Sequence, residues 1–173
     1  MATYIGLLKG VNVGGNNKVP MVELRTLFES LGYGDVRTFI QSGNIIFASN
    51  AAPVPRDLER AIEDCFAVRI TVVLRTPVEF RKIIRNNPFD VVDPSKLMVG
   101  FMAQAPSKSD VTRLDHERFT VEQFRVLGPN LYFLFPDGMA RTKLPDYLNR
   151  QLKVPFTVRN WNTVNQLLEL SES

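Results

Sequence analysis

Val36-Arg37-Thr38-Phe39-Ile40-Gln41-Ser42-Gly43-Asn44-Ile45-Ile46-Phe47-Ala48 reads as two short apolar strands around a polar turn. Val36 to Ile40 and Ile45 to Ala48 carry the β-branched and aromatic residues that suit strands, and Gln41-Ser42-Gly43-Asn44 supplies turn chemistry at the tip. Upstream, Thr3 to Leu8 reads as a strand. Between it and the hairpin, Leu24, Leu27, Phe28 and Leu31 recur at helical spacing, with Pro20 placed for the first helical position and Gly32 as the stop. Downstream, Leu58, Ile62 and Phe66 mark a second helix introduced by Pro53 and Pro55, and Val68 to Leu74 is a β-branched run that predicts a strand.

The order is therefore βαββαβ, the ferredoxin-like arrangement. Thr76-Pro77-Val78-Glu79 is a capping box with proline at its first helical position, and it opens a further helix carrying Phe80, Ile83 and Ile84. The second half repeats the pattern. Leu97 to Met102, Phe119 to Val126, Leu131 to Phe135 and Phe156 to Val158 read as strands. Helices are expected from Ser107 to about Leu114, at Leu144, Leu148 and Leu152, and at Val164, Leu167 and Leu168. Adding 86 to the numbering maps Asn44 and Phe47 onto Asn130 and Phe133, and Val68, Thr71 and Val72 onto Val154, Thr157 and Val158. A shift of 84 maps Arg75 onto Arg159, each just before a helix; an insertion or deletion of two residues preserves strand face. The expected fold is α+β, with two ferredoxin-like halves from an internal duplication, residues 1–86 and 87–173, each followed by a helix and together forming one unit.

Composition frames the function. A chain of 173 residues with 45% apolar and 23% charged residues is that of an ordinary globular protein. A net charge of +3 and a pI near 9.2 lean mildly toward an acidic partner. Cys65 is the only cysteine, which excludes an internal disulfide and fits a reducing cytoplasm. The first residues lack the pattern of a signal peptide, and no apolar run approaches a membrane span.

The loop Lys9-Gly10-Val11-Asn12-Val13-Gly14-Gly15-Asn16-Asn17-Lys18 holds three glycines, three asparagines, two lysines and no acid. It lies between a strand and a helix N-terminus, where backbone N–H groups favour negative charge. In βαββαβ topology this loop, the hairpin tip and the connection before the fourth strand share one end of the sheet. Lys9, Asn12, Gly14, Gly15 and Lys18 are thus expected to converge with Gln41, Ser42 and Asn44 into a ligand-binding surface, the alternative being two solvated turns. Arg159-Asn160-Trp161-Asn162-Thr163 is the second unusual segment. Asn160 or Asn162 suits a helix cap and Trp161 suits packing; the functional alternative is an anion or base platform. Arg141 and Lys143 add charge before another helix.

Several chemistries are disfavoured. Gly10 and Gly15 fit only two positions of a P-loop, Asn16 stands where its lysine belongs, and no dinucleotide fingerprint occurs. One histidine, His116 in a charged turn, and one cysteine, expected on the buried side of its helix, argue against a metal site and against nucleophilic catalysis. No cofactor is expected. Strands apolar on both faces argue against base stacking on an open sheet.

Leu7 to Gly15, Lys18-Val19-Pro20-Met21, Thr38 to Asn44, Asn87-Pro88-Phe89 and Arg159 to Thr163 together resemble an uncharacterised bacterial family, domain of unknown function 1697. The resemblance implies a two-part α+β fold of ferredoxin-like character and carries no assigned activity. Its signature residues coincide with the polar loops reached from topology. The leading expectation is a cytoplasmic protein binding an anionic small ligand, phosphorylated or nucleotide-like. The alternative is a nucleic-acid-binding protein gripping the phosphate backbone with the same loops, and a third is a small enzyme on an anionic substrate using Lys9 or Ser42. Oligomeric state is not readable from the sequence.

Overall fold

The structure is a computed structural model describing residues 1–173. The chain forms two compact units, Met1–Arg81 with Gln166–Ser173, and Lys82–Asn165. In the first, strands β1 (Ala2–Leu8), β2 (Gly34–Phe39), β3 (Asn44–Ser49) and β4 (Val72–Arg75) form one antiparallel sheet in the order β2-β3-β1-β4. Helices α1 (Met21–Ser30) and α2 (Pro55–Phe66) cover it, and α3 (Pro77–Arg85) follows. In the second, β5 (Leu97–Met102), β6 (Gln123–Leu127), β7 (Asn130–Leu134) and β8 (Phe156–Asn160) repeat that order as β6-β7-β5-β8. Helices α4 (Lys108–Thr112) and α5 (Leu144–Leu152) accompany this sheet, and α6 (Trp161–Glu172) ends the chain. The chain is thus an α+β protein of two similar ferredoxin-like halves.

The predicted apolar stripes make the two cores. Leu24 and Phe28 of α1 meet Leu58 and Ile62 of α2 over Ile45 and Phe47, with Phe28 edge-on to Phe47 at 5.1 Å. In the second unit Leu144, Leu148 and Leu152 of α5 pack with Leu131, Phe133 and Phe135. Every residue of β3 is buried, in keeping with its apolar residues on both faces. In the second unit Tyr132 is also fully buried and donates its hydroxyl to the Ile83 carbonyl at 2.6 Å. Burial pushes its pKa up to about 12, above the usual tyrosine value near 10. A group that binds its proton more tightly when folded stabilises the fold below the unfolded pKa and loses that contribution as pH rises toward 12. Tyr132→Phe is expected to remove about 1–2 kcal/mol by leaving that carbonyl without its donor. It should also flatten the alkaline limb of a stability–pH curve. Urea melts at neutral pH and near pH 11 measure both.

Local signals at helix ends hold. The Thr76 N–H bonds Glu79 Oε2 at 2.6 Å and the Glu79 N–H bonds Thr76 Oγ1 at 3.2 Å, the reciprocal pair of a capping box. Gly32, at φ +91°, closes α1: the Tyr33 N–H reaches the Phe28 carbonyl and the Gly32 N–H reaches that of Glu29, a Schellman pattern. Pro20 caps α1 from one residue outside it, not from its first turn.

Other boundaries move for identifiable reasons. The expected strand from Val68 begins only at Val72. Leu8 pairs with Val72 and the Lys9 N–H with the Thr71 carbonyl, so Val68 would face Asn12, where the first chain has already turned. Val68 and Ile70 still pack on the core, which explains their apolar character. Phe119 to Glu122 lie outside β6. Gln123 pairs with Leu134, but the Phe135 N–H goes to the Lys96 carbonyl and Pro136 has none, leaving no partner strand for 119–122. Cys65 is exposed, not buried. The buried stripe of α2 runs Leu58, Ile62, with Phe66 packed at its end, and Cys65 sits about 100° around the helix from Phe66.

Candidate functional site

The site starts from one asparagine. Asn12 has φ +57°, a left-handed conformation that asparagine tolerates better than most residues. Its Nδ2 donates to the Val19 carbonyl at 2.9 Å and to the Gln41 carbonyl at 2.7 Å, while its Oδ1 accepts from the Val19 N–H at 2.8 Å. Both amide hydrogens are engaged. The side chain therefore closes its own loop at the foot of α1 and ties it to the tip of the β2–β3 hairpin.

Backbone bonds add to this tie. The Leu8 N–H donates to the Gly43 carbonyl at 2.8 Å. The Asn12 N–H reaches the Asn17 carbonyl at 3.1 Å and the Asn16 N–H reaches that of Val13 at 2.9 Å. Asn17 Nδ2 donates to the Gly10 carbonyl at 3.2 Å. The loop is thus a miniature hairpin with Gly14 and Gly15 at its apex, at φ +57° and +77°. Positive φ at both central residues is the requirement of a type I′ turn. These glycines serve the turn first; the space beside each is open, and no protein acceptor takes their N–H groups.

The hairpin tip is built as tightly. Phe39 pairs with Asn44, so Ile40-Gln41-Ser42-Gly43 is the connection. Asn44 is fully buried and donates to the Phe39 carbonyl and to Ser42 Oγ, both at 3.0 Å. Ile40, expected as the last residue of β2, sits instead at φ +50° with half its surface exposed. A β-branched residue in the left-handed region is strained, and such strain survives only where the surroundings impose it.

The sequence-predicted residues of the first unit therefore do converge. Lys9 is partly buried beside Gly10, with its N–H on the Thr71 carbonyl; Lys18 and Gln41 are exposed and Ser42 is partly so. No acid lies between 9 and 18 or between 40 and 44. The surface exposes the Lys18 ammonium, the Gln41 amide and the Gly14–Gly15 turn, with Lys9 and the Ser42 hydroxyl partly buried beside them.

Arg159, Asn160, Trp161 and Asn162 belong to the second unit. Arg159 and Asn160 end β8 and do not form a loop. The Thr163 N–H donates to Asn160 Oδ1 at 2.8 Å, so Asn160 caps α6. Trp161 is only 8% exposed and offers no open stacking face, whereas Asn162 is exposed. Arg159, 7% exposed, donates to Thr157 Oγ1 at 2.6 Å and to the Val158 carbonyl at 3.0 Å. Burial brings its pKa down to about 10. Arg75 holds the corresponding place at the end of β4, is also buried, and has its pKa lowered by burial and raised in part by Glu79.

Sequence reasoning missed Ile40 and gave no special part to Gly43 or Asn17. The signal for Asn17 was present in its type, since asparagine accepts positive φ more readily than most residues. No sequence signal marks an isoleucine for that conformation.

Two sheets of identical strand order, one of them carrying interlocked polar loops at its end, define a class: a duplicated ferredoxin-like α+β protein with a basic, acid-free loop pair. The chain belongs to the family described as protein of unknown function (DUF1697), whose model matches residues 1–132. Six chains of solved structures match it. One is the conserved bacterial protein SP0830 from Streptococcus pneumoniae, 26% identical over 98% of each chain, with a TM-score of 0.69. No curated protein matches the chain. No helix is long and apolar enough to cross a membrane.

Proposed function

We propose that the protein binds an anionic small ligand, phosphorylated or nucleotide-like, on the surface formed by loop 9–18 and the hairpin tip 40–43, in a reducing cytoplasm. One observation carries this reading: Asn12 locks two loops of positive-φ backbone together, with the exposed Lys18, the partly buried Lys9 and the turn N–H groups around it. A solvated turn needs neither the lock nor a strained isoleucine. In this reading Lys9 and Lys18 supply charge, and Gln41, Ser42 and the N–H groups of Gly14 and Gly15 supply directed donors. Asn12 and Asn44 hold the frame.

The test is a thermal-shift screen with inorganic phosphate, sugar phosphates, mononucleotides and short oligonucleotides at low and moderate salt. Native-state binding raises the melting temperature by mass action. A small phosphate that stabilises the protein at moderate salt is the expected result. Lys9→Ala combined with Lys18→Ala should weaken that ligand about tenfold or more, since bonds to charged groups contribute roughly 1.5–3 kcal/mol each. The melting temperature without ligand should change little. Unaltered affinity in the folded double variant sinks the proposal. A shift confined to oligonucleotides, growing with length and abolished by salt, would replace it with nucleic-acid binding.

A further inference from the structure

A cleft lies wholly within the unit Lys82–Asn165, with a volume of about 570 Å³. One wall is the segment 118–122, and the other is the connection 137–142 between β7 and α5. Ligand sites commonly span roughly 300–1,000 Å³. Each wall carries one guanidinium and one carboxylate: Arg118 and Glu122 on the first, Asp137 and Arg141 on the second. None of these four groups forms an ion pair with another. Phe119 and Val121 add apolar surface to the lining.

The arrangement is partly pre-organised. The Arg118 guanidinium lies 4.9 Å from the centre of the Tyr147 ring, a cation–π contact. Tyr147 is itself buried on α5, and its hydroxyl accepts the Asp115 N–H at 2.9 Å. Across the cleft, Thr142 Oγ1 accepts the Leu144 N–H at 3.2 Å and fixes the end of the 137–142 connection. Gly138, at φ +78°, has open space beside it.

The charge pattern selects the ligand class. A simple anion is drawn to Arg118 and Arg141 but repelled by Glu122 and Asp137, and a simple cation meets the reverse. A ligand carrying both signs gains from both pairs. The apolar part of the lining favours a small side chain on the same molecule. We infer that the 118–122/137–142 cleft is a binding site for a zwitterion of the amino-acid or short-peptide class. Its carboxylate lies toward the guanidiniums and its ammonium toward the carboxylates.

The experiment follows backbone amide resonances of the intact protein during titration with alanyl-alanine. Acetyl-alanine, alanine amide and inorganic phosphate serve as single-charge controls. The expected result is a saturable shift at Thr120, Val121, Gly138 and Thr142. Binding should be about tenfold weaker for each capped analogue, the loss expected when one charged partner is removed. Arg141→Ala and Asp137→Asn change exposed side chains, so both variants should fold and both should weaken the dipeptide. Equal binding of acetyl-alanine or phosphate, or no saturable change in these resonances with the dipeptide, overturns the inference. Dipeptide binding that neither variant affects overturns it equally.

Discussion

Gly43→Ala lowers the stability of the first unit by about 3 kcal/mol or more, the largest effect expected of a single methyl group in this chain. Gly43 is buried at φ +82°, where a side chain is strained before any contact is considered. An added Cβ would lie 2.5 Å from Val11 Cγ2, 2.8 Å from Leu8 Cβ and 3.3 Å from the Leu8 carbonyl oxygen. Leu8 and Val11 are core residues with almost no exposure, and the Leu8 N–H bonds the Gly43 carbonyl, so Leu8 cannot step aside without breaking that bond. Gly14→Ala is the control. It has the same sign of φ and nothing within 4 Å, so it isolates the backbone term at about 1–2 kcal/mol. Urea melts of the two variants should differ clearly. Equal losses would mean that the hairpin tip does not press on β1 as described.

Asn12→Ala is expected to cost about 2–4 kcal/mol, from three lost hydrogen bonds and a left-handed backbone without a tolerant residue. Val19 is fully buried, so its N–H and carbonyl lose their Asn12 partners where water does not replace them. The substitution should also uncouple the two loops. Hydrogen exchange of the Val19 N–H should accelerate, and any anion bound at the site should weaken with it. A loss below about 0.5 kcal/mol, the range of ordinary surface changes, would show that Asn12 is not the brace.

Much of this architecture is legible in the chain because it rests on periodicity and local chemistry. The hairpin, the two amphipathic helices of each half and the Thr76–Glu79 capping box each follow from residue type and spacing. Topology alone then places loop 9–18 beside the tip, and the Asn12–Gln41 bond realises that contact. What escaped depends on partners distant in sequence. Val68 and Phe119 have strand-like surroundings but no opposing strand, since the paired chain turns away at Asn12 and at Pro136. Ile40 has a high β propensity that is overridden by a four-residue connection fixed at both ends by Phe39 and Asn44. Cys65 is the exception: the spacing of Leu58, Ile62 and Phe66 already places it off the buried stripe, and it is exposed. The strand read from Phe156 is expected to end at Val158, with Arg159-Asn160-Trp161 leading into the last helix. In the structure Arg159 and Asn160 extend β8, because Met98 and Val99 of β5 remain available to pair with them.

The two interlocked loops of the first unit are proposed to hold an anion. Amide-resonance mapping of the intact protein with inorganic phosphate and then a mononucleotide tests it most directly. Saturable shifts are expected at Gly14, Gly15, Lys18, Gln41 and Ser42, lost in the Lys9→Ala, Lys18→Ala double variant. Saturable shifts located elsewhere, or none at these residues up to millimolar ligand, would contradict it.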